Sequence, residues 1–104
     1  MITVTTDYVP GREIAEALGI VRGSTVRARN VGRDIMAGLK NIVGGEVSEY
    51  TRLMADSREE AIERMVKDAH RLGADAIINV RFMTSNVITG AAEMLAYGTA
   101  VKIK

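Results

Sequence analysis

Residues 48–72 read SEYTRLMADSREEAIERMVKDAHRL, and this stretch decides the fold. Leu53, Met54, Ala61, Ile62, Met65, Ala69 and Leu72 recur at helical spacing and make one apolar stripe. The opposite side carries Glu60–Arg64 and Glu63–Lys67, four residues apart with the acid first, the order that supports a helix. Acid gathers near Glu59 and base near Arg71, which suits the helix dipole. Gly73-Ala74-Asp75 stops the run. Ser57-Arg-Glu-Glu60 fits a capping box, where a helix could restart. The stripe keeps its phase through Ser57, so the spacing predicts one continuous helix. At 1.5 Å per residue it would be about 37 Å long, close to the width of about 34 Å expected for a compact chain of this size.

Working upstream, Asn30 can cap a shorter helix in which Ile35, Leu39, Ile42 and Val43 fall at helical spacing, and Gly44-Gly45 breaks it. Residues 20–29 have strand composition, with a turn or bulge expected at Arg22-Gly23-Ser24. In residues 12–18, Ile14, Ala17 and Leu18 share a helical face, and Gly19 suits the C-cap, so a short helix is expected there. Residues 7–11 hold the Pro10-Gly11 turn, and residues 2–6 alternate apolar and hydroxyl side chains as a half-buried strand does.

Working downstream, residues 76–85 and 93–103 read as two strands joined through residues 87–92, an antiparallel hairpin. Strict alternation puts Ala76, Ile78, Val80 and Phe82 on one face of the first strand and Ile77, Asn79, Arg81 and Met83 on the other. In the second strand Leu95, Tyr97, Thr99, Val101 and Ile103 oppose a smooth side of Met94, Ala96, Gly98 and Ala100. The expected architecture is one α+β domain over residues 1–104, an antiparallel sheet packed with one long helix and shorter ones.

A sheet with one wet face alternates cleanly between apolar and polar residues. This hairpin is apolar on both sides. Helices of the chain can cover one face, and the other calls for a second copy, because large apolar patches are unusual on a monomer. A homo-oligomer is expected, unless the short helix over residues 12–18 covers the second face.

The bulk numbers narrow the function by exclusion. The chain has 104 residues, a net charge of +1, 4% aromatics and no cysteine. Near-neutral charge and scarce aromatics argue against nucleic acid as a partner, even with Arg27, Arg29 and Arg33 in sequence proximity. No apolar run approaches the ~20 residues that cross a bilayer, and residues 1–6 lack the features of a signal peptide, so a cytoplasmic location is expected. Without cysteine there is no thiolate ligand, and with His70 as the one histidine no catalytic triad can be argued; as a metal ligand His70 would need a partner such as Asp75 or a carboxylate of a neighbouring chain. Gly44-Gly45 lacks the lysine and spacing of a phosphate loop. Asn30, Arg33, Asp34 and Tyr50 are the candidate ligand-binding residues, polar groups around the short helix and the double glycine. Their more ordinary role is to fix local geometry or an interface. No catalytic signature is present, no cofactor is indicated, and no metal ligand set is assigned.

The ordered motifs Asn30-Val-Gly-Arg33-Asp34-Ile35, Ile42-Val-Gly-Gly45, Tyr50, Leu72-Gly-Ala-Asp-Ala76 and Tyr97-Gly-Thr-Ala-Val101 resemble the YbjQ-like family of small microbial proteins across essentially the whole chain. The resemblance implies a dodecin-type α+β subunit that forms a ring, a pentamer, and a biochemical role that is not established. It also brings a heavy-metal-binding label, to which this sequence could answer only with Asp and Glu carboxylates, most simply with one ligand per subunit on a symmetry axis. Three functions follow as expectations: a non-enzymatic ring acting through assembly or through a small ligand at its junctions, a metal-binding protein, and an enzyme with an inter-subunit site using Arg33, Asp34 and Tyr50.

Overall fold

A computed structural model describes residues 1–27, 48–88 and 91–104 of the chain. In these residues the elements run β1 (Ile2–Thr3), β2 (Ile14–Arg27), α1 (Ser48–Arg71), β3 (Ala76–Ile88) and β4 (Ala91–Ile103). The strands make one sheet in the order β1-β3-β4-β2. The β3–β4 hairpin and the β4–β2 pair are antiparallel, and β1 lies parallel to β3. The fold is therefore α+β as expected, with a mixed sheet where an antiparallel one was expected.

The long helix is continuous through Ser57, as its phase predicts. Ser57, Ala61, Met65 and Ala69 are spaced four apart and form its fully buried row. Glu60 and Arg64 pair at 2.6 Å, whereas Glu63 and Lys67 form no ion pair among the described residues. The helix ends on Gly73, whose φ of 75° is left-handed. The Gly73 N–H donates to the His70 carbonyl at 3.0 Å and the Ala74 N–H to the Ala69 carbonyl at 3.1 Å. This Schellman arrangement satisfies two of the carbonyls that a helix end leaves open.

The short helix expected over residues 12–18 is strand instead, the first part of β2. Its pairing with β4 shifts register between Ile14 and Glu16 and again between Ala17 and Gly19. Each shift adds a residue, so the apolar positions lose the period of two and imitate a helical face. Gly19, with φ of 126°, sits at the second irregularity and caps no helix. No bulge occurs at Arg22-Gly23-Ser24, which pair in regular register with Tyr97, Ala96 and Leu95. The strand expected over residues 2–6 is regular only at Ile2–Thr3, and both hairpin strands run into the connection expected at residues 87–92. The helix expected after Asn30 and its Gly44-Gly45 break lie outside the described residues.

Between Ile78 and Arg81, β3 carries one residue more than the facing stretch of β4. Asn79 takes up the excess at φ of 53°, a conformation asparagine tolerates better than most residues. The bulge reverses the alternation beyond it. Val80 and Phe82 join Ile77 on the helix side, and Arg81 and Met83 join Ile78 on the other.

The core has two parts on opposite faces. Val21, Ile77, Val80, Met94, Ala96 and Ala100 pack beneath Ala61, Met65 and Ala69. The helix thus lies on the smooth side of β4, where small side chains allow close approach. On the reverse face Ala76, Ile78 and Val101 pack against Val9, flanked by Val4, Ile14 and Ile103. The N-terminal segment is held there by the bulge. The Asn79 N–H donates to the Thr6 carbonyl at 2.9 Å and the Val80 N–H to the Val4 carbonyl at 3.0 Å.

Candidate functional site

Of the four residues singled out from the sequence, Asn30, Arg33 and Asp34 lie outside the described residues. Tyr50 falls in the first turn of α1. His70 is exposed in the last turn, beside Arg71, where the helix dipole favours a cation. Among the described residues no three His, Cys, Asp or Glu side chains gather as metal ligands would, and no helix is long and apolar enough to cross a membrane. The described residues therefore do not fit a soft heavy metal, which prefers thiolate and imidazole.

What the described residues do present is the reverse face of the sheet. Register sets its side chains in cross-strand rows over β2, β4 and β3: Ile20–Thr99–Ile78, Arg22–Tyr97–Arg81, Ser24–Leu95–Met83 and Val26–Glu93–Ser85. The N-terminal segment covers only the end near Ile78. Beyond it Ile20 is 72% exposed, Val26 57% and Met83 55%, with Leu95 and Tyr97 half-buried between them. Each of these rows places side chains about 5 Å from their neighbours, so exposed Ile20, Val26 and Met83 and half-buried Leu95 lie among polar neighbours on one face, with a pair of guanidinium groups crossing it.

Arg81 is partly fixed. Its Nη1 donates to the carbonyls of Thr5 and Val80, each at 2.9 Å, which ties the bulge to the N-terminal segment. Arg22 has its guanidinium exposed, and its backbone N–H donates to Asp68 Oδ2 at 3.2 Å. Asp68 Oδ1 also accepts from Arg71 Nη2 at 2.7 Å. That hydrogen bond, opposed by partial desolvation and helped by the Arg22 N–H and the charges of both arginines, holds the Asp68 carboxyl below its ordinary pKa. One step along, Arg64 Nη1 donates to the Ser24 carbonyl at 2.5 Å while Nη2 binds Glu60. Helix side chains thereby occupy a donor and an acceptor on the outer edge of β2, a position that otherwise invites another strand.

Sequence reading does not find the Arg22–Tyr97–Arg81 row. Strict alternation leaves Arg81 on the face of Ile77, and only the bulge at Asn79 turns it toward Tyr97. The signal available was Asn79 itself, a residue suited to left-handed φ inside an apolar strand.

Comparison with known proteins covers the full length. The YbjQ family model, described as "Putative heavy-metal-binding", matches residues 1–104. A UPF0145 protein of Archaeoglobus fulgidus is 62% identical, over 100% of this chain and 96% of its own length. One from Methanosarcina acetivorans is 59% identical over 99% of this chain and 97% of its own. One from Vibrio campbellii is 55% identical over 99% of both. A crystal structure of a protein of unknown function from Pediococcus pentosaceus, assigned to the DUF74 family, superposes with a TM-score of 0.67 at 18% identity, covering 100% of this chain and 98% of that one. That likeness shows a shared fold.

Proposed function

The chain belongs to the YbjQ-like family, and from that premise and the open sheet face we propose that it is a non-enzymatic homo-oligomer, a cytoplasmic ring of five dodecin-like subunits, which acts through assembly or by holding a small ligand where subunits meet. The observation that carries this reading is the apolar reverse face, with Ile20, Val26 and Met83 each more than half exposed on a single chain. Its composition supports an interface, since Tyr, Met and Arg are enriched in interfaces and Lys is depleted.

Sedimentation at micromolar concentration tests the reading. A pentamer has a mass of about 57 kDa, and the Ile20→Glu/Val26→Glu double variant is expected to sediment as a single chain with its helix content intact. A single-chain mass for the unaltered protein overturns the proposal. Among the described residues of one chain no three His, Cys, Asp or Glu side chains gather, so the metal-binding alternative rests on carboxylates from several subunits on a symmetry axis. Elemental analysis of untagged protein decides it, and less than one metal per ring counts against it.

A further inference from the structure

We propose that the Arg22–Tyr97–Arg81 row binds the oxyanion groups, phosphate or carboxylate, of a small anionic ligand at the junction between copies of this chain. The proposal rests on the assembly reading and names the class of ligand that the junction takes.

Register places both arginines directly opposite Tyr97, one on each neighbouring strand. Opposed residues in antiparallel strands have Cα atoms about 4.5–5.5 Å apart, so the two arginine Cα atoms stand about 10 Å apart across the tyrosine. From Cα atoms at that spacing two arginine side chains are long enough to reach a single oxyanion or two linked ones, with the phenol between the strands as hydrogen-bond partner. Arg81 is already oriented by its bonds to Thr5 and Val80, and both bonds use Nη1. Among the described residues its Nε and Nη2 meet no acceptor, and neither Arg22 nor Arg81 has an ion pair.

The surroundings make the need for an anion specific. The rows on either side are largely apolar, Ile20–Thr99–Ile78 and Ser24–Leu95–Met83. Covering those rows with another copy removes water from the arginines between them, and a buried charge without a counter-charge is strongly disfavoured. Asp68, at the strand edge, lies near enough to interact with the Arg22 charge, but its carboxylate is hydrogen-bonded to Arg71 and to the Arg22 backbone N–H and not to the Arg22 guanidinium. Glu93 is the carboxylate that the described residues place on this face, and it stands four residues along β4 from Tyr97, about 13 Å away. It faces Ser85, whose Oγ donates to it at 3.5 Å. The face as a whole therefore holds more positive than negative charge along the stripe that assembly would dry.

Isothermal titration of the full chain with inorganic pyrophosphate, with sedimentation of the same samples, tests the proposal. The wild type is expected to bind as an assembled particle, and more weakly in about 0.5 M salt. Arg22→Gln, the cleaner variant because Arg81 also holds Thr5, is expected to lose at least about tenfold in affinity while its mass is unchanged, with Arg22→Lys recovering part of the loss. An assembled wild type that ignores pyrophosphate overturns the anion site and leaves assembly standing. Equal affinity in the Arg22→Gln/Arg81→Gln variant places binding elsewhere and overturns it too. A double variant that falls to single chains, with no pyrophosphate bound by the wild type, shows a neighbour's carboxylate in the place we give to a ligand. A wild type that sediments as one chain removes the junction itself, and with it the assembly reading.

Discussion

Replacing Gly23 with alanine tests whether the long helix rests directly on strand backbone. A Cβ built at Gly23 falls against the Ala61 carbonyl oxygen and the Met65 nitrogen, and 2.6 Å from the Arg64 Cβ. Two of these are helix backbone atoms, which cannot rotate out of the way. The φ of Gly23 lies outside the left-handed region, so alanine meets no backbone strain there. With no helix above it, the substitution would stabilise the protein by about 0.4–1 kcal/mol through the unfolded chain. With the helix in place, α1 must lift by about 1 Å, which loosens the row of Ala61, Met65 and Ala69 that it buries. Overpacking of this kind costs about 1–3 kcal/mol, and a rigid obstacle puts Gly23→Ala near the upper end, about 2–3 kcal/mol. For a domain of this size that is a fall of roughly 10–20 °C in Tm. Urea unfolding should show a lower midpoint at an unchanged m-value. Both proteins are compared at one concentration, because the proposed assembly would make apparent stability depend on it. A loss under about 0.5 kcal/mol, or any gain, refutes the direct contact between helix and strand.

Two further substitutions read the bulge and the helix edge. At Asn79, with φ of 53°, glycine should be close to neutral in urea unfolding, alanine should cost about 1 kcal/mol, and valine more, since left-handed backbone penalises a β-branched side chain most; a valine variant as stable as the glycine one would mean that β3 carries no bulge there. Asp68→Asn should lower stability by about 0.5–1 kcal/mol at neutral pH. The carboxyl's folded pKa lies below its unfolded one, so the charged form stabilises the protein above the unfolded value and that contribution is lost as pH falls through the folded pKa. Wild type and variant should therefore converge in acid, and a gap that is constant with pH would show that the charge of Asp68 has no part in it.

The helix was legible because its evidence is repeated: seven apolar positions hold one phase, and Gly73 ends it with the φ that a C-cap needs. The hairpin was legible for the same reason, as two runs of alternating residues separated by a glycine-bearing connection. Bulges leave no repeated signature. The two register shifts near the start of β2 disguised it as a helix, and the one at Asn79 exchanged the faces of the β3 residues that follow, as far as the next shift after Asn86. Arg22 and Arg81 lie far apart in sequence and come into one row only through Tyr97, so no local pattern could have joined them. By sequence alone Gly23 signals a turn or bulge. In a strand, glycine equally marks the close approach of another backbone, and here that is the helix.

The side of the sheet that the helix takes links packing to the proposed assembly. Four strands at about 4.8 Å make a sheet roughly 19 Å wide, and a helix with its side chains is 10–12 Å across. One helix cannot shelter the whole of even one face. It settles where Gly23, Ala96 and Ala100 offer the closest approach, and that choice turns Leu95, Tyr97 and Met83 outward. Had it settled on the other side, the face left open would hold Val21, Ile77, Val80 and Met94 beside the alanines of β4, so one helix leaves apolar area uncovered on either choice. The same geometry separates the two kinds of perturbation. Gly23→Ala disturbs the helix side, and Ile20→Glu with Val26→Glu disturbs the reverse, with the thickness of the sheet between them. The first should lower stability without changing the particle mass, and the second should change the mass while a single chain keeps its helix. If Gly23→Ala dissociates the particle as readily as the charged pair does, the helix is part of the contact between copies, and the reverse face is not the whole of the interface.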